Sequence, residues 1–341
     1  MQKLFLGVDA GATHTRAAIC NEKGMLVGLG VGGSGHYSCV GIKGVLKSIQ
    51  EALTHAGFRS CYFKGACIAL ASLWVAVDYS PHYSLIKRLI EAKIKADRVL
   101  LVNDAYAALW GAFSGQPGIV CVAGTGSVGL ARTDSGKVMR IGGWGHLLGD
   151  EGSAYRISLE AIQAALKAYD GTGESTSLLD RACSFFYWKQ PEEAIRSFYE
   201  GPLNKREVAR FAQIVITEAK NGDPVAMRIV KSNISFLAHC VKVIAESARI
   251  YRVAPVGGVF RDYYTRELFA QEIAAANISC VTPDMPPVLG AVGLIMETTG
   301  AITPKTTAQQ LKLNVAKVEC ILSNTQDPIR LGRPDPGKDK V

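Results

Sequence analysis

The chain has 341 residues, of which 48% are hydrophobic, and a formal net charge of +8. This length suggests two domains, and the hydrophobic content is sufficient for a sizeable core in each. No stretch contains the roughly 18 to 20 consecutive apolar residues of a membrane span, and the N-terminus begins a strand rather than a signal peptide. We therefore expect a cytoplasmic protein without a membrane partner.

The positive charge is spread along the chain without a dense basic block. Aromatic residues make up 8% of the sequence and show no interleaved stacking pattern. Attraction to anionic small molecules such as nucleotides explains this charge, so we expect no nucleic-acid partner.

The nine cysteines indicate a reducing compartment. Their number is odd and no CxxC spacing occurs, which favours free thiols over disulfides. The spacing of a zinc or iron–sulfur site is also missing.

The first predicted element is a β-hairpin over Leu4–Cys20. An apolar strand runs to Asp9, small residues through Thr13 form the turn, and a second apolar run returns. Small side chains let backbone N–H groups approach phosphate oxygens closely. An ordinary hairpin, in which Asp9 and Thr13 only satisfy the turn, remains an alternative.

The next segment, Val27–Gly35, is rich in glycine and contains a formal GxGxxG. No helix opens directly after it and no acidic residue follows at dinucleotide spacing, so we do not assign it to a cofactor. Helical spacing then predicts a helix that ends near Gly57, a strand at Ala66–Leu70 and a helix at Tyr83–Ala96.

Asp104 follows a short apolar strand, Val99–Val102, and begins the helical run AYAALWGAF. Ligands of open α/β sheets bind at the carboxyl ends of strands, which makes Asp104 a candidate site residue. Aspartate is also a preferred helix N-cap, and the position taken alone favours capping.

A second hairpin of the same plan follows the linker at Gly115–Gly118. The apolar strand Ile119–Val122 leads into AGTGSVG at Ala123–Gly129, and a further strand and turn come next. A helix does not follow, so the dinucleotide fingerprint fails again, and the chain contains no GxxxxGK[ST] phosphate loop. Two such hairpins suggest a duplicated architecture with a cleft between the halves.

The segment Ile141–Ser153, IGGWGHLLGDEGS, contains too many glycines for a regular element and predicts a functional loop. Trp144 either stacks on a ligand or fills the core, and we favour stacking. For His146 we expect packing or hydrogen bonding rather than catalysis. Asp150 either binds ligand hydroxyls or caps the helix that begins near Ser153; the sequence leaves both open.

The rest of the chain is predicted as helical scaffold over 154–249, followed by a strand at Ala254–Phe260. A glycine pair at the end of a strand could let a purine lie against backbone, although a simple turn explains it as well. A helix at Arg261–Ile273 and a strand at Ile278–Val281 follow. The segment QQLKLNVAK is compatible with a strand or a short helix, and the last 15 residues resemble an unstructured tail.

In chain order, these signals describe a cleft for a nucleoside triphosphate. Two hairpins would hold the phosphates, and Asp9 could bind Mg²⁺ through water. Asp104 would face the γ-phosphate, and Gly257 and Gly258 would receive the nucleoside.

With these motifs the chain resembles the actin and sugar-kinase superfamily, and within it the BadF/BadG/BcrA/BcrD-type ATPases and the N-acetylglucosamine kinases. GVDAGATHT and AGTGSVGLAR are similar to its two phosphate loops, NDAYAALWGAF to the segment with the catalytic aspartate, and GGVFR with GAVGL to its adenosine region. GGWGHLLGDEGSAYRI is similar to the long sugar-kinase signature, and this match is the specific one.

The resemblance implies an α/β fold with two ribonuclease-H-like, actin-like ATPase domains and a nucleotide and sugar cleft between them. The expected domains are 1–116 and 117–300, with a partly disordered extension at 301–341. The last helix, near 287–299, is expected to pack back on the first domain. A homodimer is implied as well.

The resemblance also assigns roles to individual residues. Asp104 accepts the proton of the sugar 6-hydroxyl, and Asp9 serves Mg²⁺, in water-mediated contact. The expected ATP contacts are Gly11, Ala12, Thr13, Gly124, Thr125, Gly126, Ser127, Gly257, Gly258 and Phe260. The expected sugar contacts are His36, Ser72, Asp104, Gly143, Trp144 and Asp150.

Three departures from the family pattern concern specificity. His14 stands where a basic or small polar residue is usual, and His36 replaces a sugar-contacting Asn. ALASL at Ala69–Leu73 replaces a small-Gly-acid pattern. His36 and Ser72 therefore lie where the sugar is selected.

The resemblance implies an ATP-dependent, Mg²⁺-requiring kinase that acts on the 6-hydroxyl of a hexosamine. N-acetylglucosamine is the first candidate, with glucosamine, N-acetylmuramic acid and glucose as others. The alternatives are an ATPase switch like the dehydratase activators, which would need cluster cysteines, and a sugar sensor without turnover.

Overall fold

The computed structural model describes residues 3–58, 61–73, 82–201, 203–301 and 304–324. Its first half is built on a five-stranded sheet with strand order β3-β2-β1-β5-β7. The strands are β1 (Leu4–Ala10), β2 (Thr15–Asn21), β3 (Leu26–Gly32), β5 (Gly65–Leu70) and β7 (Val99–Asn103). The first three strands are antiparallel, and β1, β5 and β7 run parallel. The predicted hairpin is confirmed.

Helices cover the first sheet and frame its loops. They are α1 (Tyr37–His55), α2 (Tyr83–Lys93) and α3 (Asp104–Phe113), and two short strands, β4 (Tyr62–Phe63) and β6 (Lys95–Ala96), pair beside them. Apolar residues of α1 and α2, such as Ile49 and Ile90, are buried against one face of the sheet. The helix at Tyr83 is three residues shorter than predicted because Lys95 and Ala96 pair as a strand.

The glycine-rich segment after the first hairpin is the edge strand β3. A Cβ atom on Gly30 would lie 2.1 Å from the Ala52 carbonyl oxygen, and one on Gly32 would lie 2.0 Å from that of Ser48. These glycines let α1 pack directly on the strand, and Gly28 of the formal GxGxxG does the same against the Ala56 carbonyl oxygen, at 2.7 Å from an added Cβ; the glycines at 28 and 30 are therefore accounted for by packing.

The second half repeats the first sheet. Its order is β10-β9-β8-β11-β12, again three antiparallel strands followed by parallel ones. The strands are β8 (Gly118–Ala123), β9 (Ser127–Arg132), β10 (Val138–Gly142), β11 (Arg252–Val256) and β12 (Ser279–Cys280). The duplicated architecture predicted from the two hairpins is therefore confirmed.

Helices between β10 and β12 form the largest core cluster with the second sheet. They are α4 (Ala154–Tyr169), α5 (Leu178–Phe186), α6 (Glu193–Tyr199), α7 (Lys205–Arg210), α8 (Ala212–Lys220), α9 (Pro224–Ala248) and α10 (Tyr263–Ala274). Asp223 caps α9 as expected, since its side chain accepts the Ala226 N–H. The strand predicted to reach Phe260 ends at Val256, because Val259–Arg261 form a 3₁₀ turn.

The last three helices return to the first sheet. They are α11 (Pro287–Thr298), α12 (Pro304–Lys312) and α13 (Val315–Asn324). Val288 and Leu311 are buried in one cluster with Phe5 and Cys67 of the first sheet. The expected return of the helix near 287–299 is thus observed, and QQLKLNVAK is helical on both sides of a turn. The predicted tail after 324 lies outside the described residues, and the domain boundaries at 116 and 300 stay predictions.

Among the described helices, none combines the length and the apolar composition required to cross a membrane.

Candidate active site

Strand register brings the two predicted acids to the same edge of the first sheet. Ala10 of β1 pairs with Leu70 of β5, which pairs with Asn103 of β7, so the three parallel strands end level with one another. Asp9 lies one residue before this edge and Asp104 one residue after it. Their two carboxylates are close enough that the charge of Asp9 raises the pKa of Asp104.

Asn103, and not Asp104, caps helix α3. The Asn103 side chain accepts the Ala105 N–H at 3.0 Å and donates to the Leu73 carbonyl at 2.6 Å. The interpretation of Asp104 as the helix N-cap is therefore wrong, because the Asn103 side chain caps α3. Loss of hydration and the charge of Asp9 raise the pKa of Asp104 to about 7, which suits a base at neutral pH.

Asp9 is 7% exposed, and its carboxylate oxygen Oδ2 lies 3.5 Å from Nη1 of Arg16. Burial raises the pKa of Asp9, and the Arg16 charge opposes that rise. A buried carboxylate beside a second carboxylate, with a single long cation contact among the residues that the structure describes, is a donor set that fits Mg²⁺.

Two buried hydroxyl groups at this edge lack a hydrogen-bond partner among the described residues: those of Thr15 and Ser72. Buried hydroxyls are normally satisfied, so such atoms indicate where a ligand or water binds. Ser72 follows the end of β5, between the strands that carry Asp9 and Asp104. The structure thus brings this predicted sugar residue to the acids.

The first predicted phosphate loop is a tight turn between β1 and β2. The Gly11 N–H donates to the His14 carbonyl at 3.0 Å, and Ser34 Oγ and the Gly35 N–H donate to the loop carbonyls of Ala12 and Gly11. Thr13 is exposed. Within the described chain, the N–H groups of Ala12 and Thr13 have no backbone acceptor, which leaves them available for an anion.

The second predicted phosphate loop is hydrogen-bonded to residues 142–157, the segment that resembles the sugar-kinase signature (the signature segment). The Ala154 N–H donates to the Gly124 carbonyl at 2.8 Å, and the Gly124 N–H donates to Gly126. The Ser127 hydroxyl donates to the Glu151 carbonyl at 2.7 Å, so it supports the loop instead of facing a ligand. Thr125, at the tip, is half-buried.

Gly257 packs against this second loop. Its φ is +112°, and a Cβ atom there would lie 2.3 Å from the Ala123 carbonyl oxygen. Gly258 is open, since a Cβ atom added there would meet no other atom within 4 Å. Phe260 is 5% exposed and packs on Phe269. The glycine pair therefore reaches the loop, whereas the Phe260 side chain belongs to the core.

The signature segment presents Trp144 to solvent. Its side chain is 64% exposed, and the Arg140 guanidinium lies 4.2 Å from the ring centroid. The interpretation of Trp144 as a core residue is therefore wrong. Gly143, which precedes it, has a φ of +70°. His146 is exposed and packs edge-on against Tyr155, in agreement with a packing role.

Asp150 is 5% exposed and adopts a φ of +63°. Its carboxylate accepts the Ser127 N–H at 3.2 Å and Lys205 Nζ at 2.6 Å. Ser153 caps α4 by accepting the Arg156 N–H at 3.1 Å, so Asp150 is not the cap. Asp150 joins the second loop to α7, and a sugar hydroxyl would have to share its oxygens with these donors.

Sequence reasoning missed Lys205, Arg206 and Asn233. Lys205 and Arg206 begin α7, and burial together with their positive charges lowers the pKa of His36. His36 therefore lies near α7, although it belongs to the other half of the chain. Asn233 of α9 accepts the Gly152 N–H at 2.8 Å. All three residues lie in segments whose helical periodicity indicates only scaffold.

The site combines two carboxyl groups at one sheet edge, a first turn with free N–H groups, an exposed indole and the ion pair between Asp150 and Lys205. Free N–H groups and a buried carboxylate suit phosphates with Mg²⁺, and a base with a pKa near neutrality suits removal of a hydroxyl proton.

The sequence matches the family model described as the BadF/BadG/BcrA/BcrD ATPase family over residues 6–296. It is 33% identical over 248 residues to the N-acetylmuramic acid/N-acetylglucosamine kinase of Clostridium acetobutylicum, covering 72% of this chain and 80% of that one. It is 30% identical over 231 residues to a glucosamine kinase of Vibrio cholerae, covering 67% and 75%.

Solved structures share the fold. A candidate N-acetylglucosamine kinase from Chromobacterium violaceum superposes with a TM-score of 0.69 at 24% identity, covering 85% of this chain and 98% of that one. A ROK family glucokinase from Streptomyces griseus, solved with glucose and AMPPNP, gives a TM-score of 0.54 at 17% identity, covering 87% and 100%.

Proposed function

Since the chain belongs to the BadF/BadG/BcrA/BcrD ATPase family, we propose that it is an ATP-dependent kinase for the 6-hydroxyl of a hexosamine, with N-acetylglucosamine as the first candidate. The observation that carries this proposal is Asp104, which follows the cap residue Asn103 at the sheet edge beside Asp9 and has a pKa raised to about 7. The sugar kinases among its relatives support the substrate class.

In the proposed reaction the sugar 6-hydroxyl oxygen attacks the γ-phosphorus of ATP. The bond from that phosphorus to the β,γ-bridging oxygen breaks, ADP leaves, and Asp104 takes the hydroxyl proton. Phosphoryl transfer depends mainly on positioning and charge neutralisation. Asp104 therefore serves as both base and anchor for the hydroxyl group.

Phosphate binding is assigned to the two turns. The N–H groups of Ala12 and Thr13 and the tip at Thr125 would hold phosphate oxygens, and the open backbone at Gly258 would accept the nucleoside. Asp9 would hold Mg²⁺ through its water shell, and the ion would neutralise phosphate charge when bound. Trp144 would lie against the sugar ring, with His36 and Ser72 as further contacts.

Two further proposals concern the state of the protein. We place it in the cytoplasm because all nine of its cysteines are free thiols, which suits a reducing compartment. We also propose a homodimer, on family resemblance, which a molar mass from light scattering would test.

The first experiment is ADP release with ATP and Mg²⁺ across N-acetylglucosamine, glucosamine, glucose, N-acetylmannosamine, N-acetylmuramic acid and no sugar. A rate that appears only with particular sugars, and disappears in Asp104→Asn, supports the kinase. A slow rate that is indifferent to every sugar would instead favour an ATPase switch.

A further inference from the structure

Arg16 lies on β2 directly opposite Asp9 of β1, one residue pair before the first phosphate loop begins. Residues that are opposite each other on paired strands project from the same face of the sheet. That face is the one covered by α11, because a Cβ atom on Gly7, two residues before Asp9, would lie 2.6 Å from the Val292 backbone nitrogen. The Arg16 side chain therefore lies beside Asp9 at the edge of the sheet that carries the site.

The guanidinium of Arg16 has one polar contact among the residues that the structure describes. Its Nη1 lies 3.5 Å from Oδ2 of Asp9, longer than an ordinary hydrogen bond. Its Nε is buried and has no partner in the described part of the chain. Buried donors are nearly always satisfied in folded proteins, and a guanidinium carries five N–H groups in a fixed fork. Arg16 therefore keeps donors for an acceptor that is not part of the protein.

The charge of Arg16 is matched weakly by the surrounding carboxylates. Within the described chain, the elements packed against β1 and β2 carry Asp9, Asp104, Glu51 and Glu297. Glu297 is paired with Arg132, and Glu51 accepts the Gly33 N–H, so these two are engaged elsewhere. Of the four, Asp9 alone makes an ion pair with Arg16. The Arg16 charge is thus available to an anion at this edge.

We propose that Arg16 is a further catalytic residue, which binds the γ-phosphoryl group of ATP beside the N–H groups of Ala12 and Thr13. The inference rests on the proposed kinase function and adds a residue to the same site. A guanidinium forms paired, charge-assisted hydrogen bonds with phosphate oxygens. The carboxyl groups of Asp9 and Asp104 repel a phosphate, and a fixed cation beside them offsets that repulsion.

The position of Arg16 at the sheet edge selects the γ-phosphoryl group over the rest of ATP. Asp104, the proposed base, receives the proton of the hydroxyl group that attacks the γ-phosphorus, and Asp9 lies at the same edge. Arg16 contacts Asp9, whereas the nucleoside is assigned to Gly258 on the other half of the chain. In the transfer step Arg16 neither gives nor takes a proton. It stabilises the charge on the phosphoryl oxygens as the bond to ADP breaks.

The test compares the binding of ADP with that of AMPPNP, a β,γ-imido analogue that carries the γ-phosphoryl group. Calorimetry in the presence of Mg²⁺ gives the dissociation constant of each. We expect Arg16→Gln to weaken AMPPNP binding by at least about tenfold, the loss of one charge-assisted pair, and to leave ADP binding nearly unchanged. Arg16→Lys should keep part of the AMPPNP affinity. Arg88→Gln, the matched control at an exposed position on α2, should bind both nucleotides like wild type.

Turnover is the second measurement. In Arg16→Gln, kcat is expected to fall by at least about 10²-fold, the usual effect of removing one donor directed at developing charge. KM for the sugar should stay close to the wild-type value. An unchanged kcat overturns the inference. Equal losses of ADP and AMPPNP affinity also overturn it, because they would show that Arg16 only supports the loop.

The outcomes separate this inference from the kinase function. An AMPPNP preference that depends on Arg16, without phosphorylation of any sugar, supports the inference and overturns the kinase function. A phosphorylated sugar together with equal losses of the two nucleotides overturns the inference alone. If Arg16→Gln does not fold, wild-type protein with isotope-labelled arginine is studied by NMR. At least one arginine Nε–H resonance must then differ between the ADP and AMPPNP complexes, and identical arginine spectra overturn the inference.

Discussion

At the scale of single residues, the proposed function depends on two carboxylates that lie at one edge of the first sheet. Burial disfavours the ionised form of both Asp9 and Asp104, and for Asp104 the charge of Asp9 adds to this effect. Burial and the Asp9 charge raise the pKa of Asp104 to about 7. A carboxylate with this pKa can hold and release a proton at the pH of the cell.

Replacing this carboxylate should stop turnover without removing the nucleotide. We expect Asp104→Asn to lower kcat by about 10²–10⁴-fold, the usual contribution of a general base. The ATP dissociation constant, measured by calorimetry, should change little because the phosphate turns are intact. A near-normal rate would show that Asp104 is not the base.

The raised pKa also makes stability depend on pH. The ordinary value for this carboxyl is 3.8 and the folded value is about 7, so the folded protein binds the proton more tightly than the unfolded chain. This contribution to stability is complete below the unfolded pKa and is lost as pH rises through about 7.

Asp104→Asn carries no charge, so its melting temperature relative to wild type should rise on going from about pH 5 to about pH 8.5. Asp134→Asn, at an exposed position, should show no such trend. If the melting temperatures of both variants changed equally with pH, the raised pKa of Asp104 would be contradicted.

The roles of individual residues could be predicted from the sequence only in part. The strand-end position made Asp104 a candidate, but capping could not be separated from chemistry until Asn103 was seen to bind the Ala105 N–H. Lys205 carries no sequence signal, because its role arises from the ion pair that it makes with Asp150, a residue distant in sequence. Phe260 was expected to contact the nucleotide because it follows Gly257 and Gly258 in the sequence, but its side chain is buried in the core.

At the scale of elements, the two adjacent glycines after β11, Gly257 and Gly258, have different structural roles. An alanine at Gly257 would place its Cβ 2.3 Å from a backbone oxygen at a φ of +112°, whereas the same change at Gly258 meets open space. We expect Gly257→Ala to lower both the melting temperature and ATP affinity, and Gly258→Ala to lower ATP affinity alone. Equal melting temperatures would contradict the packing role of Gly257.

We expect the signature segment to contribute to ligand binding and not to the stability of the fold. Trp144 is 64% exposed, so Trp144→Ala should leave the melting temperature nearly unchanged. We expect KM for the sugar to rise much more than KM for ATP, because the indole offers a flat apolar face. Equal rises in the two KM values would argue against sugar stacking.

Pattern reasoning found both hairpins, since alternation and small-residue turns are local signals. It gave no structure for β3, because glycines at close packing sites hide the apolar pattern of a strand. Glycine is needed there because α1 packs directly on the strand. Local sequence patterns do not show where α1 packs.

At the scale of the whole molecule, the end of the chain completes the core of its beginning. Leu311 of α12 is fully buried with Val292 of α11 and Phe5 of β1, whereas Leu313 is 76% exposed. We expect Leu311→Ala to reduce the free energy of unfolding by about 2–5 kcal/mol. Leu313→Ala, the matched control, should stay close to wild type in urea unfolding.

The duplicated plan was predictable from two similar hairpins, and the sheets confirm it. The return of α11 to the first sheet was implied only by family resemblance. Periodicity shows that a helix has an apolar face but not which sheet covers it. The pairing of α11 with α3, where a Cβ on Gly290 would lie 2.0 Å from the Ala107 carbonyl oxygen, is a contact between distant segments.

The return of α11 and α12 has a consequence for synthesis on the ribosome. The sheet that carries Asp9 and Asp104 is translated first, but the helices that cover its second face emerge about 180 residues later. The nascent first half therefore exposes apolar surface until translation is almost finished, which is an aggregation hazard. A fragment of residues 1–116 should bind a hydrophobic dye, and joining 284–324 to it should reduce that binding; no difference would mean that the first half closes its core without them.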